Sequence, residues 1–453
     1  MNNTDTICAL ATSPGGALGI IRISGDDAIN IACSICSNIS TETPANTVHY
    51  SHIVNTSGEL IDEAMVSIFR APHSYSGEDS VEMTCHGSRY ILNKVLETLV
   101  QQGCRMAGPG EYTMRAYLNG KMDLSQAEAV ADLIASTNAA THKMAMSQLK
   151  GGISSELSQL RERLLHLTTL LELELDFSDH EDLEFADRKE LLSLSHTIDQ
   201  RICALAKSFE AGQALKRGIP VAIVGKTNTG KSTLLNRFLK DDRAIVSDVH
   251  GTTRDTIEDS IEIKGVNFRI IDTAGIRNTD DQIEQIGIQR TFSAIEKAHI
   301  VVWIMDTMPN QDEVENILEL SKDKALIPVW NKSDLTTTHC QDIPGITTSP
   351  INISAKFGDN LKALEEAIYK SANIPDLTDV DIIVSSTRQY QELRTAHNSV
   401  LKVIESIEAN LSSDLIAEEL KMAIERLANI TGTDIITPQD TLNNIFSSFC
   451  VGK

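Results

Sequence analysis

Apolar and polar positions change their rhythm three times along the chain. Through residues 1–120, short β-like runs (Gly19–Ile23, Ala64–Phe69, Ser80–Thr84) alternate with turn clusters such as Gly108-Pro109-Gly110, a pattern that predicts an α+β domain. From Asp123 the period lengthens. Leu124, Ala127, Ala131 and Ile134 fall at helical spacing, and Glu156–Leu175 is free of glycine and proline, so residues 121–212 read as helices. Residues 213–379 return to short apolar runs followed by helical stretches. Helical texture resumes from Arg388 to about Asn429, within 380–453. A helical domain interrupted by an inserted α/β domain explains that symmetry.

Composition narrows the classes. A chain of 453 residues exceeds one core and calls for several domains. The net charge of −23 is spread over the whole length, so no segment is a basic reader of nucleic acid and a polyanion is repelled at long range. If RNA is involved, a partner or a local patch supplies the positive surface. The longest apolar runs, such as Ile300–Met305, are far too short to span a bilayer. The first residues lack the basic and apolar regions of a leader. A cytoplasmic protein with no membrane role is the expectation.

Eight cysteines make no disulfide framework at this length. Cys33 and Cys36 form a CxxC without a second pair or a nearby histidine, which favours two cysteines on one helix over a metal site. The acidic stretch from Glu172 to Glu190 contains only His180 as another metal-binding type. A solvated helix face and loop is the favoured reading.

Chemistry concentrates in the inserted segment. The apolar run Ile219–Val224 is followed at once by Gly225-Lys-Thr-Asn-Thr-Gly230-Lys231-Ser232, and a helical pattern (Thr233–Leu239) comes next. Glycines there let backbone N–H groups turn toward phosphate oxygens, and the helix N-terminus adds its dipole. Lys231 is expected on the β- and γ-phosphates, and the Ser232 hydroxyl on Mg²⁺.

Three further elements follow in order. Asp272-Thr273-Ala274-Gly275 comes after the strand-like Phe268–Ile271; its acid can reach Mg²⁺ through water and its glycine N–H can meet the γ-phosphate. Asn331-Lys332-Ser333-Asp334 comes after Ile327–Trp330. A carboxylate there accepts from guanine N1–H and N2–H₂, a donor pair that adenine lacks. Ser354-Ala355-Lys356 comes after Ile351–Ile353 and can close over guanine O6. Each element stands at the C-terminal end of a strand-like run, where open α/β sheets bind ligands. Together they predict a site for GTP and Mg²⁺.

Between the first two lies Gly251-Thr252-Thr253-Arg254-Asp255. A threonine hydroxyl, Thr253 above all, can complete the Mg²⁺ shell, in a loop that orders around γ-phosphate and loosens after hydrolysis. For Arg254 a salt bridge or switch-loop role is favoured over an arginine finger. Small signalling GTPases carry a glutamine after DxxG to orient water, whereas this chain has Ile276. Glu284, on the expected Gln282–Phe292 helix, competes for that role with Asp280 and Asp281, and the residues alone leave the choice open.

With these motifs and the end Phe449-Cys450-Val451-Gly452-Lys453 in view, the chain resembles the tRNA modification GTPases usually called the MnmE or TrmE family. Ile20-Ile-Arg22-Ile-Ser-Gly25, Ser76-Gly-Glu78-Asp-Ser-Val-Glu82, Leu118-Asn-Gly-Lys121-Met-Asp-Leu-Ser-Gln-Ala-Glu128-Ala and Ile445–Lys453 carry the likeness, which extends over nearly the whole chain. It implies a folate-binding-like N-terminal domain (1–120) that dimerises and an all-α domain in two parts (121–212 and 380–453). It also implies an inserted α/β P-loop GTPase domain (213–379). A FAD-containing partner, MnmG, is implied too, in a heterotetramer with the homodimer.

The reaction so implied places a carboxymethylaminomethyl-type group on carbon 5 of the wobble uridine (position 34) of certain tRNAs. Its one-carbon unit comes from 5-formyl- or 5,10-methylene-tetrahydrofolate.

The resemblance also assigns residues. Folate contacts fall to Arg22, Glu82, Lys121 and Lys453, where a carboxylate matches pterin donors and cations suit the glutamyl tail. A K⁺ ion beside the phosphates takes Asn228, Ser247, Val249 and Thr252 as ligands. GTP contacts extend over Asn228, Thr229, Gly230, Lys231, Ser232 and Thr233, then over Ser247, Asp248, Val249, His250, Gly251, Thr252 and Thr253. They continue through Asp272–Gly275, Asn331, Lys332, Asp334, Ser354, Ala355 and Lys356. Glu284 takes the water-orienting role, with Lys231 and Thr253 as the other catalytic groups. Thr227 replaces the family's usual P-loop proline, and Ser247 a threonine.

Cys450, four residues from the end, fits a prenylation box poorly because Gly452 and Lys453 follow it. It is expected near the modifying centre, with its role open. The rival class, a regulatory GTPase without modification chemistry, usually carries a basic RNA-binding domain, and none is visible. A scaffold with dead catalysis would show damage in the P-loop or DxxG, and both are intact.

Overall fold

The computed structural model describes residues 5–13, 15–176, 188–242, 259–271, 292–335, 342–346, 348–374, 382–432, 439–447 and 449–452. Contacts divide the chain into two units. One joins Met1–Ile134, Gln148–Cys203 and Gln391–Lys453; the other joins Ala135–Ser147 and Ala204–Tyr390.

The first unit opens with β1 (Ile7–Leu10), β2 (Leu18–Ser24), α1 (Ala28–Ile35), β3 (Thr47–Val54), β4 (Leu60–Phe69), β5 (Ser80–His86), α2 (Arg89–Gln101) and β6 (Arg105–Met106). The strands form one sheet in the order β3-β4-β5-β2-β1-β6. Strand alternation sends Ile21, Ile23, Val81 and Met83 into a core shared with Ile29, Ile35, Leu92, Val95 and Leu99 of the two helices. The same alternation turns Arg22 and Glu82 to the opposite face, directly across from each other in the β2–β5 register.

After α3 (Glu111–Leu118) come α4 (Leu124–Ala135), α5 (Ala139–Leu149), α6 (Gly152–Asp176) and α7 (Arg188–Arg217). Along α6, Leu157, Leu160, Leu164, Leu167 and Leu171 are buried, a stripe at helical spacing.

The second unit holds β7 (Ile219–Val224), α8 (Lys231–Asp242), β8 (Asp259–Ile263), β9 (Val266–Ile270), β10 (Ile300–Met305), α9 (Gln311–Leu320), β11 (Ala325–Trp330), β12 (Ile351–Asn352) and α10 (Leu361–Ser371). The sheet order is β12-β11-β10-β7-β9-β8. All pairs are parallel except the edge pair β8–β9. Val221, Ile223, Val302 and Val329 face one apolar layer, and Ala222, Val224, Val301 and Trp303 the other. Burial on both faces explains why these strands read as unbroken apolar runs. The order reverses on either side of β7, and that switch point is where such sheets take ligands.

The chain closes with α11 (Thr387–Glu408), α12 (Ser413–Thr431) and α13 (Gln439–Phe446). The expected helical stretch Arg388–Asn429 is therefore two helices. Asn410 adopts φ 53° between them, a left-handed conformation that a helix does not tolerate. Helix α12 packs along α6. Phe446 at the end of α13 and Phe449 beyond it join Met114, Leu124 and Ala127 in a small core, and Val451 pairs with Pro109 in an antiparallel bridge.

Candidate functional site: a nucleotide-binding sheet end and a charged pair at the chain terminus

The loop after β7 is shaped by backbone that side chains resist. Gly230 has φ 99°, and a Cβ there would lie 2.1 Å from the Asn331 amide nitrogen. Only glycine allows that approach. Asn228 also has positive φ, at 64°.

Lys231 folds over this loop, its Nζ donating to the carbonyls of Gly225 (2.8 Å) and Lys226 (2.6 Å). Burial lowers its pKa below the ordinary lysine range. The Thr229 hydroxyl donates to the Lys226 carbonyl at 2.9 Å, and Lys226 pairs with Glu313 on α9 at 2.7 Å.

Asn331 ties three loops together. Its amide nitrogen donates to the Thr229 carbonyl at 2.7 Å, and its amide oxygen accepts from the Ala355 N–H at 2.9 Å. Its backbone N–H donates to the Met305 carbonyl at 2.7 Å. The Ser354 hydroxyl donates to Asp334 at 2.7 Å, which aims that carboxylate from the neighbouring loop. Lys332, at φ 65°, pairs with Asp306 at the end of β10 at 2.6 Å. So Gly225–Ser232, Asn331–Asp334 and Ser354–Lys356 meet at one end of the sheet. Ser247, Asp248, Val249, His250, Gly251, Thr252, Thr253, Asp272–Gly275, Ile276, Asp280, Asp281 and Glu284 lie outside the described residues, as do Arg254 and Asp255.

A second cluster lies in the first unit. The Arg22 guanidinium reaches the Glu82 carboxylate with Nε at 2.8 Å and Nη2 at 2.7 Å. Its Nη1 donates to the Gly452 carbonyl at 3.4 Å. Lys121 donates to the Pro72 carbonyl at 2.8 Å, in the loop that also carries Tyr75. The tail thus reaches the first sheet, and Gly110 N–H donates to the Cys450 carbonyl at 3.3 Å. The Cys450 side chain is exposed; Lys453 lies outside the described residues. Cys36 is buried, and burial pushes its thiol up to about 12, so it stays protonated at neutral pH.

Sequence reasoning missed the groups that hold this cluster. The Arg22 guanidinium lies 5.3 Å from the Tyr75 ring centre and 5.6 Å from that of Tyr112, within cation–π range. The Tyr112 hydroxyl donates to the Arg22 carbonyl at 2.8 Å. Behind it, Arg115 is buried among Asp5 (2.6 Å), Glu78 (3.2 Å) and Glu111 (3.1 Å), and Arg105 bridges Asp5 and Glu111. No local motif announces such a network; its members come together only through the fold.

The sheet order, the glycine-shaped loop and the order of the loops around it define a P-loop GTPase class of domain, set within a larger chain. The family model "GTP-binding protein TrmE N-terminus" matches residues 6–121, and "MnmE helical domain" spans residues 124–450. Curated relatives named tRNA modification GTPase MnmE are 48% identical in Phocaeicola vulgatus and in Bacteroides thetaiotaomicron, covering 100% of each chain. That of Flavobacterium johnsoniae is 45% identical over the same full coverage. The chain belongs to the MnmE family of tRNA modification GTPases.

Proposed function

We propose that this chain hydrolyses GTP and uses that cycle to drive modification of carbon 5 of the wobble uridine in certain tRNAs, together with a FAD-containing partner of the MnmG type. The observation that carries the reading is Asn331, which links the phosphate loop through Thr229 to the Ser354–Lys356 loop through Ala355. One residue thereby sets the phosphate-binding and base-binding loops in register. Asp334 would accept from the guanine N1–H and N2–H₂ donors, and Lys231 would neutralise the β- and γ-phosphates. Thr253 and Glu284 remain the expected Mg²⁺ ligand and water-orienting group.

The donor sets suit hard cations. Ser232 and Thr253 would offer hydroxyl oxygens to Mg²⁺; Asn228, Ser247, Val249 and Thr252 would offer amide, hydroxyl and carbonyl oxygens to K⁺. When bound, these ions supply positive charge where phosphate charge builds up in the transition state.

Arg22, Glu82, Lys121 and Lys453 form the proposed tetrahydrofolate site. Glu82 would meet the pterin donors and the cations the glutamyl carboxylates. The contact from Arg22 to Gly452 supports it, because it brings the terminal segment to the Arg22–Glu82 pair. In this reading residues 1–120 bind folate and dimerise, 121–212 and 380–453 form the helical domain, and 213–379 form the GTPase domain. Dimers would join MnmG in a heterotetramer in the cytoplasm.

Mass spectrometry of wobble uridines from a strain lacking the gene tests the proposal. Loss of the carbon-5 group, restored by the intact gene and not by a Lys231→Ala copy, is the expected result. Full modification in the deletion strain would contradict it.

A further inference from the structure

A domain inserted into a helical domain needs two chain crossings, yet the second unit has four, because Ala135–Ser147 belongs to it as well. That segment runs from the last residue of α4 through most of α5, and within the second unit it grips the turn of the β8–β9 hairpin. The turn is Lys264-Gly265, with φ 53° and 78°, a two-residue pattern that suits a tight hairpin.

The Gly265 carbonyl accepts from the Ala140 N–H at 3.0 Å. A Cβ on Gly265 would stand 3.0 Å from that of Ala139. The Asn267 amide donates to the Thr137 hydroxyl at 3.1 Å. Ala140 and Met144 are buried in the same apolar layer as Val221, Ile261, Val266 and Phe268. Asn138 accepts from the Thr141 N–H at 2.9 Å, which starts α5 at the point of contact. On its other side the turn is held through Lys264, which pairs with Glu366 and lies 5.0 Å from the Tyr369 ring centre.

The hairpin is also the piece of chain between the two phosphate-sensing segments: β8 follows Gly251–Asp255 closely, and β9 leads into Asp272–Gly275. A shift of those segments would pull on β8 and β9. The hairpin tip would deliver that pull to Ala139 and Ala140, and the chain runs from there directly into α4, whose last residue is Ala135.

We infer that Ala135–Ser147 is a coupling arm, clamped on the β8–β9 turn by Gly265, Asn267 and Met144, through which the nucleotide state acts on the helical part of the chain. This rests on the GTP-driven reading above, and it assigns a task to residues outside the proposed nucleotide and folate sites. Coupling of this kind amounts to about 5–150-fold between sites.

The test uses the full chain, with guanine-nucleotide binding measured first. Hydrogen exchange is then followed in the nucleotide-free protein, with GDP, and with a non-hydrolysable GTP analogue. In the wild type, residues 135–147 and 259–270 should change protection together between nucleotide states. In the mild variant Asn267→Ala, and separately in Met144→Ala, the change at 259–270 should persist and that at 135–147 should shrink. GTP turnover should stay within about twofold while tRNA modification falls about tenfold, inside the coupling range above.

Wild-type exchange at 135–147 that ignores the nucleotide while 259–270 responds would overturn the arm. So would variants in which turnover and modification fall in parallel. A wild type that binds no guanine nucleotide would instead refute the GTP reading, and the arm with it.

Discussion

Arg22 in the second strand donates a hydrogen bond to the carbonyl of Gly452, 430 positions further along the chain, at 3.4 Å. One guanidinium thus joins the first sheet to the terminal segment while bonding Glu82 across the strand register. The proposed folate site draws on both ends of the chain, which can be tested. Removing Cys450–Lys453 should weaken binding of 5-formyl-tetrahydrofolate in calorimetry by about tenfold or more, since each charged partner carries about 1.5–3 kcal/mol. Glu82→Ala should do the same, and GTP hydrolysis should stay near normal in both. Unchanged folate binding in the truncated chain would leave the tail a structural end only.

In the proposed nucleotide site, base choice would rest on Asp334, held by the Ser354 hydroxyl at 2.7 Å. Asp334→Asn should lower GTP affinity by about a hundredfold and raise that for xanthosine triphosphate, because an amide can donate where the carboxylate only accepts. Fluorescence titration with both nucleotides checks it. Equal GTP affinity in the variant would remove Asp334 from the base site.

The proposed K⁺ site, with Asn228 as a ligand and Ile276 in the usual glutamine position, makes hydrolysis ion-dependent. Replacing Na⁺ by K⁺ should raise GTP turnover steeply, and Asn228→Ala should abolish that rise while largely sparing nucleotide binding. Glu284→Ala should leave affinity near normal and slow hydrolysis by about tenfold or more. Steady-state rates in the two salts decide the first point; the rate split against affinity decides the second.

The described loops of the proposed nucleotide site were legible in the sequence because each is local. A glycine loop, NKSD and SAK each directly follow an apolar run, and burial on both sheet faces made those runs plain. Arg22 and Glu82 came only through a family resemblance. A signal was there: Ile21-Arg22-Ile23 and Val81-Glu82-Met83 each set one charge between buried neighbours, but their register depends on the sheet. Tyr75, Tyr112 and the Arg115 network have no local pattern at all. Likewise, the stretch Asn138–Leu149 falls within the region that reads as helices, and nothing in it says that the β8–β9 turn is its partner.

The Arg115 network predicts acid sensitivity. The Asp5 carboxyl is held below its usual range by its hydrogen bond to Arg105. Burial alone would raise Glu111, but bonds from Arg105 and the Gly108 N–H overcome that and lower it. Carboxyls depressed in the folded state stabilise it above their unfolded pKa of about 4 and lose that contribution as pH falls through the folded values. Urea midpoints of the full chain should therefore drop below about pH 4, and Asp5→Asn should flatten the drop. Arg115→Leu, which takes a buried cation from Asp5, Glu78 and Glu111 while Arg105 still holds Glu111, should destabilise by less than the about 3–5 kcal/mol of a fully broken buried pair. A pH profile identical in wild type and Asp5→Asn would contradict the assignment.

The most direct test of the central claim, that GTP hydrolysis drives the modifying site, is a reconstituted reaction. Purified chain, a FAD-containing protein of the proposed MnmG type, a tetrahydrofolate one-carbon donor and unmodified tRNA are combined in K⁺, and the wobble uridine is measured by mass spectrometry. Modification should proceed with GTP and stall with a non-hydrolysable analogue or with GDP. Full modification with either of the latter would separate the two activities and contradict the account.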